Sequence, residues 1–194
     1  MQIRPATTED CEGLLQLRNH YIASSFAVFD EEPLAAETVS RWIASFAHSG
    51  PYRLIVATDG SRLQGFASSQ RYRDHPAFRE TVETSIYTAP GESGRGVGSA
   101  LYASLFALLA QENLHRAVVG IALPNEASVK LHKKFGFTEV GVFNEYAVKG
   151  GKYISSVWLQ RQLAPSAASQ VSRAIEISLN GDITTSWPVS SRRQ

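Results

Sequence analysis

The order of helical and strand patterns predicts an α/β (α+β) fold, with a mixed, mostly antiparallel central sheet flanked by about four helices. A strand and two amphipathic helices come first, and three consecutive strands follow as a meander. Strand–helix units and a final pair of strands complete the pattern. A glycine-rich segment joins the last strand of the meander to a strongly apolar helix.

The N-terminal elements are a strand over residues 2–6 and a helix capped by Thr7 or Thr8, whose hydroxyl can accept a free backbone N–H. Glu9 and Asp10 in the first turn suit the positive end of the helix dipole. The buried face of this helix is predicted to contain Cys11, Leu14, Leu15, Arg18, Tyr21 and Ile22. The second helix is predicted to bury Val39, Trp42, Ile43 and Phe46.

The meander strands are predicted at residues 52–58, 63–72 and 81–88. Asp59-Gly60 between the first two is a strong signal for a tight hairpin turn. A polar linker over residues 73–80 precedes the third strand.

Alternation along the third meander strand places Glu83, Ser85 and Tyr87 on one face. A carboxylate in the middle of a central strand is costly to bury without a partner. Glu83 is therefore either on an exposed strand face or a candidate for chemistry.

The glycine-rich segment over residues 90–98 opens a helix predicted at residues 99–113. Gly94, Gly96 and Gly98 let the backbone approach a ligand closely, and the free N–H groups of the helix start suit an anion such as a pyrophosphate. An ordinary strand-to-helix turn also uses glycines. No Gly-Lys-Ser/Thr follows, which excludes a nucleotide P-loop.

The C-terminal half continues with a strand at residues 116–122, a helix at 125–135, and strands at 138–146 and 153–161. Gly136 stands where a helix C-cap glycine is expected.

The composition shifts after Leu163, which predicts a domain over residues 1–163 and a linker with a C-terminal extension over 164–194. Within the extension, residues 174–187 fit a hairpin around Asn180-Gly181, and a disordered tail fits equally well.

Composition excludes several function classes. The 19 Lys and Arg residues nearly balance 18 Asp and Glu residues, so a net charge of +1 gives no reason to expect nucleic acid or a membrane surface as partner. The single cysteine, Cys11, excludes an internal disulfide, and the five histidines lack metal-ligand spacing. No bilayer-length apolar run or signal-peptide pattern is present, so we expect a cytoplasmic protein without a metal.

Over about residues 2–163 the chain resembles the GNAT superfamily of acetyl-CoA-dependent N-acetyltransferases. Two motifs carry the resemblance: Gly94-Arg95-Gly96-Val97-Gly98-Ser99 after a strand, and Asn125…Ser128…His132 followed by Phe135-Gly136-Phe137. Within the superfamily it is similar to the phosphinothricin and methionine sulfoximine acetyltransferases. That similarity rests on Glu32-Pro33, on Thr81-Val82-Glu83 with Tyr87, and on LPNEASVKLH at residues 123–132.

The resemblance implies acetyl-CoA as co-substrate, with its pantetheine arm between splayed fourth and fifth strands and its pyrophosphate on backbone amides of the glycine-rich loop. It implies a cofactor site made of Ser93, Gly94, Arg95, Gly96, Val97, Gly98, Ser99, Asn125 and Ser128. Ser93 departs from the Gln or Arg that the family usually carries, which weakens one side-chain contact.

For catalysis, the resemblance implies that Glu83 is the general base for direct attack of an amine on the acetyl group. His132 occupies the position of a family tyrosine that protonates the leaving thiolate, although a helix histidine facing solvent is the alternative. Tyr87 either contacts the acceptor or is a core residue. Cys11 is not expected to act as a nucleophile.

The acceptor implied is the primary amine of a small amino acid or analogue, of the phosphinothricin, methionine sulfoximine or methionine sulfone type. The residues implied to bind it are Phe29, Glu32, Tyr72, Arg73, His75 and Phe78, with Arg73 and His75 at its carboxylate. Ser155 stands where this group has Asp, and Tyr153 where it has Trp, which leaves the exact substrate open.

We also expect a homodimer on the strength of the resemblance. Two other functions stay open at this point: acetylation of a peptide N-terminus or another amine, and a non-catalytic acyl-CoA-binding module. The latter would need neither Glu83, Tyr87 nor His132.

Overall fold

The computed structural model describes residues 1–163. The predicted extension, with its hairpin at residues 174–187, lies outside the described residues. Within residues 1–163, seven strands form one sheet in the order β1-β2-β3-β4-β5-β7-β6, and four α-helices flank it. The strands are β1 Gln2–Pro5, β2 Arg53–Asp59, β3 Arg62–Arg71, β4 Thr81–Thr88, β5 Arg116–Ala122, β6 Thr138–Lys149 and β7 Lys152–Gln162. The helices are α1 Cys11–Ser24, α2 Ala36–Ala44, α3 Val97–Leu109 and α4 Glu126–Lys134.

The sheet is antiparallel everywhere except between β4 and β5. This arrangement confirms the predicted fold class. No helix in the described part of the chain has both the length and the apolar character that a membrane crossing requires.

The two faces of the sheet bury separate cores, as the alternation of side chains along a strand requires. On one face, α3 packs on Ala57, Ala67 and Val82. On the other face, α1 and α2 pack on Val56 and Phe66. The sheet is therefore covered on both sides over its first four strands.

Several predicted boundaries shift for local reasons. A 3-10 turn over Thr8–Asp10 precedes α1, so that helix begins later than predicted. Gly96, with a left-handed φ of 86°, starts α3 at Val97 and not at residue 99. The β6–β7 hairpin runs up to a tight turn at Gly150-Gly151, where positive φ angles of 55° and 72° let both strands extend beyond their predicted ends.

The feature that creates a site is the short pairing of β4 with β5. Only Thr81, Val82 and Glu83 of β4 pair with β5, at Arg116, Ala117 and Val118. Beyond Glu83, β4 stays paired with β3 and β5 stays paired with β7. The two strands therefore diverge after Glu83 and leave an open V in the sheet, as expected from the sequence resemblance.

Candidate active site

A cleft of about 1090 Å³ fills the opening between β4 and β5. Its walls come from β4 and β5, the glycine-rich loop, the start of α4, and the loop that joins α1 to α2. The site therefore draws on segments far apart in the sequence and exists only in the folded chain.

One end of the cleft is built to receive an anion. The first intrahelical hydrogen bond of α3 runs from the Ala100 N–H to the Gly96 carbonyl at 2.9 Å. The N–H groups of Val97, Gly98 and Ser99 therefore have no intrahelical acceptor. Gly94 and Gly96 adopt left-handed φ angles of 77° and 86°, which favour glycine.

Gly98 has a different reason to be glycine. A Cβ at this position would lie 3.1 Å from Leu131 Cδ2, so α3 and α4 approach each other closely beside the loop. The free helix N-terminus, the left-handed glycines and this close approach fit the pyrophosphate of a coenzyme A group.

The glycine-rich loop is held in shape by Glu92, whose side chain is almost fully buried. Its carboxylate pairs with Arg62 at 2.6 Å and with Arg95 at 3.8 Å. Arg95 is exposed on the outer side of the loop, and Val97 is buried in the core. These two side chains are the only ones in the predicted cofactor set that do not line the cleft; the members that do are Ser93, Gly94, Gly96, Gly98, Ser99, Asn125 and Ser128.

At the start of α4, the side-chain oxygen of Asn125 accepts a hydrogen bond from the Ser128 N–H at 3.1 Å. This is a helix N-cap, and it commits the amide oxygen to the helix. The amide nitrogen of Asn125 is then the group available to a cofactor arm in the cleft.

Glu83 lies at the point of divergence, as the last β4 residue that pairs with β5. It is half-buried and lines the cleft. Within residues 1–163 its carboxylate has no ion-pair or hydrogen-bond partner, and burial alone raises its pKa. A carboxylate with a raised pKa is a stronger base near neutral pH than an ordinary glutamate.

Tyr87 is tied to the loop after α1. Its hydroxyl donates to the Ala27 carbonyl at 3.1 Å, and its ring stacks on Phe66 at 5.1 Å. Burial raises the pKa of Tyr87 to about 12, so the phenol keeps its proton. The ring therefore shapes the cleft wall while its donor is used within the protein.

His132 is 1% exposed at the cleft edge, and both ring nitrogens have partners. Nδ1 lies 2.7 Å from the Ser128 carbonyl, which only accepts, so Nδ1 carries the proton. Nε2 then accepts from the Tyr102 hydroxyl at 2.6 Å. Burial lowers the pKa of His132, which keeps the ring neutral. The role predicted for His132, protonating a leaving thiolate, stays a prediction.

A scan against protein-family models matches the acetyltransferase (GNAT) domain over residues 3–158. The chain belongs to the GNAT acetyltransferase family. This protein is therefore an acetyl-CoA-dependent N-acetyltransferase.

Relatives and solved structures agree with the family. The phosphinothricin N-acetyltransferase of Streptomyces coelicolor is 48% identical over 84% of this chain and 96% of its own length. The L-methionine sulfoximine/L-methionine sulfone acetyltransferase of Salmonella typhimurium is 30% identical over 87% of this chain and 98% of its own. The structure of YncA from Salmonella typhimurium, solved with its cofactor acetyl-CoA, superposes with a TM-score of 0.80 at 30% identity, covering 86% and 98% of the two chains.

The residues predicted to bind the acceptor divide into two sets in this acetyltransferase. Phe29 lines the cleft, whereas Glu32 is exposed and does not. Arg73 lies over the rings of Tyr72 and Phe78, at 5.1 and 5.6 Å, and His75 is beside Phe78. None of Tyr72, Arg73, His75 and Phe78 lines the cleft. Trp158, which does, has its ring centre 6.1 Å from that of Tyr72. Their binding role stays a prediction.

Sequence reasoning missed Lys149, which holds the loop after α1 in place. Its buried ammonium donates to the carbonyls of Ile22, Ser25 and Val28 at 2.7, 2.8 and 3.0 Å. Three N–H bonds meet three acceptors, so the group is fully satisfied. The only sequence signal was a lysine directly before Gly150-Gly151, and spacing alone does not connect it to α1.

Ser155 also has a structural task. Its hydroxyl accepts the backbone N–H of Glu145 at 3.0 Å, at an irregularity of β6 where Glu145 has a φ of 49°. The serine that departs from the group pattern thus supports the strand opposite it.

Proposed function

We propose that this acetyltransferase transfers the acetyl group of acetyl-CoA to the α-amine of a small amino acid with a polar, oxygen-bearing side chain, with Glu83 as general base. The observation that carries the proposal is an unpartnered, half-buried carboxylate where the sheet opens. Relatives named for phosphinothricin, methionine sulfoximine and methionine sulfone support this acceptor class.

An uncharged amine attacks the thioester carbonyl of acetyl-CoA directly: the C–N bond forms, the C–S bond breaks, and coenzyme A leaves as the thiol with a proton released by the nitrogen. The N–H groups at the start of α3 and the glycine-rich loop bind the pyrophosphate, and Asn125 contacts the cofactor arm. The edge of β4 that β5 leaves unpaired offers backbone N–H groups to the acetyl oxygen as negative charge develops there.

Glu83 takes the proton from the acceptor's ammonium group, directly or through a water molecule. Because the pKa of Glu83 is raised, the carboxylate is better matched to this step than an exposed glutamate. Tyr87, on β4, and Phe29, in the loop after α1, line the cleft around this position. Cys11 has no part, since its thiol points to the Ala36 carbonyl beside α2.

The test measures thiol release from acetyl-CoA with a panel of amines. The panel contains phosphinothricin, methionine sulfoximine, methionine sulfone, ordinary amino acids, short peptides and polyamines, and mass spectrometry identifies the acetylated nitrogen. We expect turnover with the small polar amino acids. Turnover confined to peptides would move the acceptor to a peptide N-terminus, and tight acetyl-CoA binding without turnover of any amine would indicate a binding module.

We further propose that the enzyme forms a homodimer through β6, which lies at the edge of the sheet. Edge strands with large apolar side chains rarely stay uncovered in soluble proteins. The exposed apolar side chains on this strand are Val140, Val142, Phe143, Tyr146 and Val148. Light scattering of the full chain tests this proposal: a dimer is expected, and a monomer at micromolar concentration would contradict it.

A further inference from the structure

A second pocket of about 200 Å³ lies between the sheet and the helices α1 and α2. Its polar and aromatic lining includes Arg18, Trp42, Ser68, Gln70, Ser85 and Tyr87. Ser85 and Tyr87 line the large cleft as well, so the two cavities adjoin.

The register of β3 and β4 relates this pocket to Glu83. Ser68 pairs with Ser85, and Gln70 pairs with Glu83, so all four side chains lie on the same face of the sheet. Residues two apart on a strand are separated by about 6.6 Å. Ser85, which lines the pocket, is therefore about 6.6 Å along β4 from Glu83, the candidate base.

Arg18 brings a positive charge into this pocket. It is half-buried on α1, and its guanidinium lies 4.5 Å from the centre of the Trp42 ring. In the described part of the chain no carboxylate lies within ion-pair distance of it. Burial lowers the pKa of Arg18, yet an arginine keeps its charge at any physiological pH.

The carboxylate whose charge does act on Arg18 is Asp30, in the loop after α1. Asp30 is exposed, so water screens its charge. Asp30 therefore does not form a direct ion pair with the guanidinium of Arg18 in the pocket.

Ser68 contributes a buried hydroxyl to the pocket. The residue is 0% exposed, and within residues 1–163 its Oγ has no hydrogen-bond partner. Buried hydroxyls nearly always have a partner, so a hydroxyl without one in a polar pocket is available to hydrogen-bond a ligand atom. Gln70 and Ser85 add an amide and a hydroxyl around it.

We propose that this pocket binds an anionic head group at the end of the acceptor's side chain, with Arg18 as the cation and Ser68 as a hydrogen-bond donor. The proposal rests on the acceptor class proposed above. The α-carboxylate is attached to the same carbon as the amine, so it stays beside Glu83. A phosphinate or carboxylate at the end of a two-carbon arm reaches Arg18, whose planar fork suits two anionic oxygens.

The test compares two acceptors whose polar heads sit on arms of equal length: phosphinothricin, which is anionic there, and methionine sulfone, which is neutral. Calorimetry in the presence of coenzyme A measures their binding without turnover. We expect Arg18→Gln to weaken phosphinothricin binding about tenfold to a hundredfold, and methionine sulfone binding by less than about threefold. Arg41→Gln, an exposed arginine on α2 that lines neither cavity, is the matched control and should leave the binding of both acceptors unchanged.

Ser68→Ala supplies a second variant in case Arg18→Gln disturbs α1. It should weaken phosphinothricin binding about threefold to tenfold while leaving the melting temperature unchanged or raised, because the free protein satisfies no hydrogen bond of that hydroxyl. Equal loss for both acceptors in Arg18→Gln, or no loss in either variant, would overturn the subsite.

The outcomes also separate this proposal from the proposed function. If Arg18→Gln binds and acetylates phosphinothricin as well as the parent does, the proposed subsite is wrong and the proposed acetyltransferase activity stands. Binding of phosphinothricin that depends on Arg18, without acetylation, would keep the subsite and overturn the activity. Absence of binding and of acetylation for both acceptors would overturn both.

Discussion

The two faces of β4 differ in whether their polar side chains have hydrogen-bond partners. On the face with Glu83 and Ser85, neither the Glu83 carboxylate nor the neighbouring Ser68 hydroxyl has a hydrogen-bond partner in the part of the chain that the structure describes. On the other face, the Tyr102 hydroxyl lies 3.4 Å from Thr84 Oγ1 and 2.6 Å from His132 Nε2. The polar groups nearest Glu83 on its face thus lack partners, whereas those around Tyr102 on the other face hydrogen-bond one another.

The difference teaches which polar groups are available to a ligand. A buried polar group without a partner lowers the stability of the fold. Such a group is therefore expected where a bound substrate supplies the missing hydrogen bond. A closed hydrogen-bond network instead stabilises packing, here between α3, α4 and β4. The Glu83 face therefore offers polar groups to a ligand, whereas the His132 face uses its polar groups within the protein.

The largest effect should follow from Glu83→Gln, which keeps the shape of the side chain and removes the base. We expect kcat/KM to fall about 10²–10⁴-fold, the usual contribution of general base catalysis. The measurement is steady-state thiol release with the best acceptor, together with acetyl-CoA binding, which should be unchanged. Glu139→Gln on the exposed face of β6 is the matched control and should be fully active. Retention of activity in Glu83→Gln would contradict the assignment.

Lys149→Met should have the next largest effect, because it leaves three backbone carbonyls without their donor. We expect a loss of about 1.5–3 kcal/mol in the free energy of unfolding and a higher KM for the acceptor. Urea denaturation and kinetics measure the two quantities. Lys152→Met, an exposed lysine on the same hairpin, should change neither. Equal behaviour of the two variants would show that Lys149 does not hold the cleft wall.

Tyr102→Phe breaks the satisfied network at its centre. We expect a loss of about 1–3 kcal/mol in stability, because His132 Nε2 loses its donor, with kcat within about threefold of the parent. Thr84→Val removes only the longer hydrogen bond and should cost less stability. A tenfold fall in kcat for Tyr102→Phe would instead place the network in the proton path to the leaving sulfur, the role predicted for His132.

The smallest effect is a pH-dependent stability difference between the parent and Glu83→Gln. Because burial raises the pKa of Glu83 above the ordinary 4.5, the folded state holds its proton at pH values where the unfolded state has lost it. Stability of the parent therefore falls as the pH rises through this window, and the loss persists above it.

Glu83→Gln lacks this loss, so it should be more stable than the parent at pH 8 and equal to it near pH 4. Denaturation at a series of pH values measures the difference. A variant that is less stable than the parent at pH 8 would mean that the carboxylate has a favourable partner after all.

Local patterns were sufficient for much of the molecule. The alternation in β4, the turn at Asp59-Gly60 and the glycine-rich start of α3 act over a few residues, and their predictions agree with the structure. Gly136 adopts a left-handed φ of 79° just after α4, as a C-cap glycine should. Boundaries shifted where glycines with positive φ angles set the end of an element, as at the hairpin turn after Lys149.

The sequence by itself determined the order of elements, the glycine-rich loop at the start of α3 and the candidacy of Glu83, because each depends on neighbours in the chain. Only the tertiary structure decided which polar groups have partners. Lys149 donates to carbonyls more than 120 residues away, and Arg18 and Ser68 line the same pocket only because α1 packs over β3. Such pairings depend on packing between distant elements, and no local spacing encodes whether a buried polar group finds a partner there.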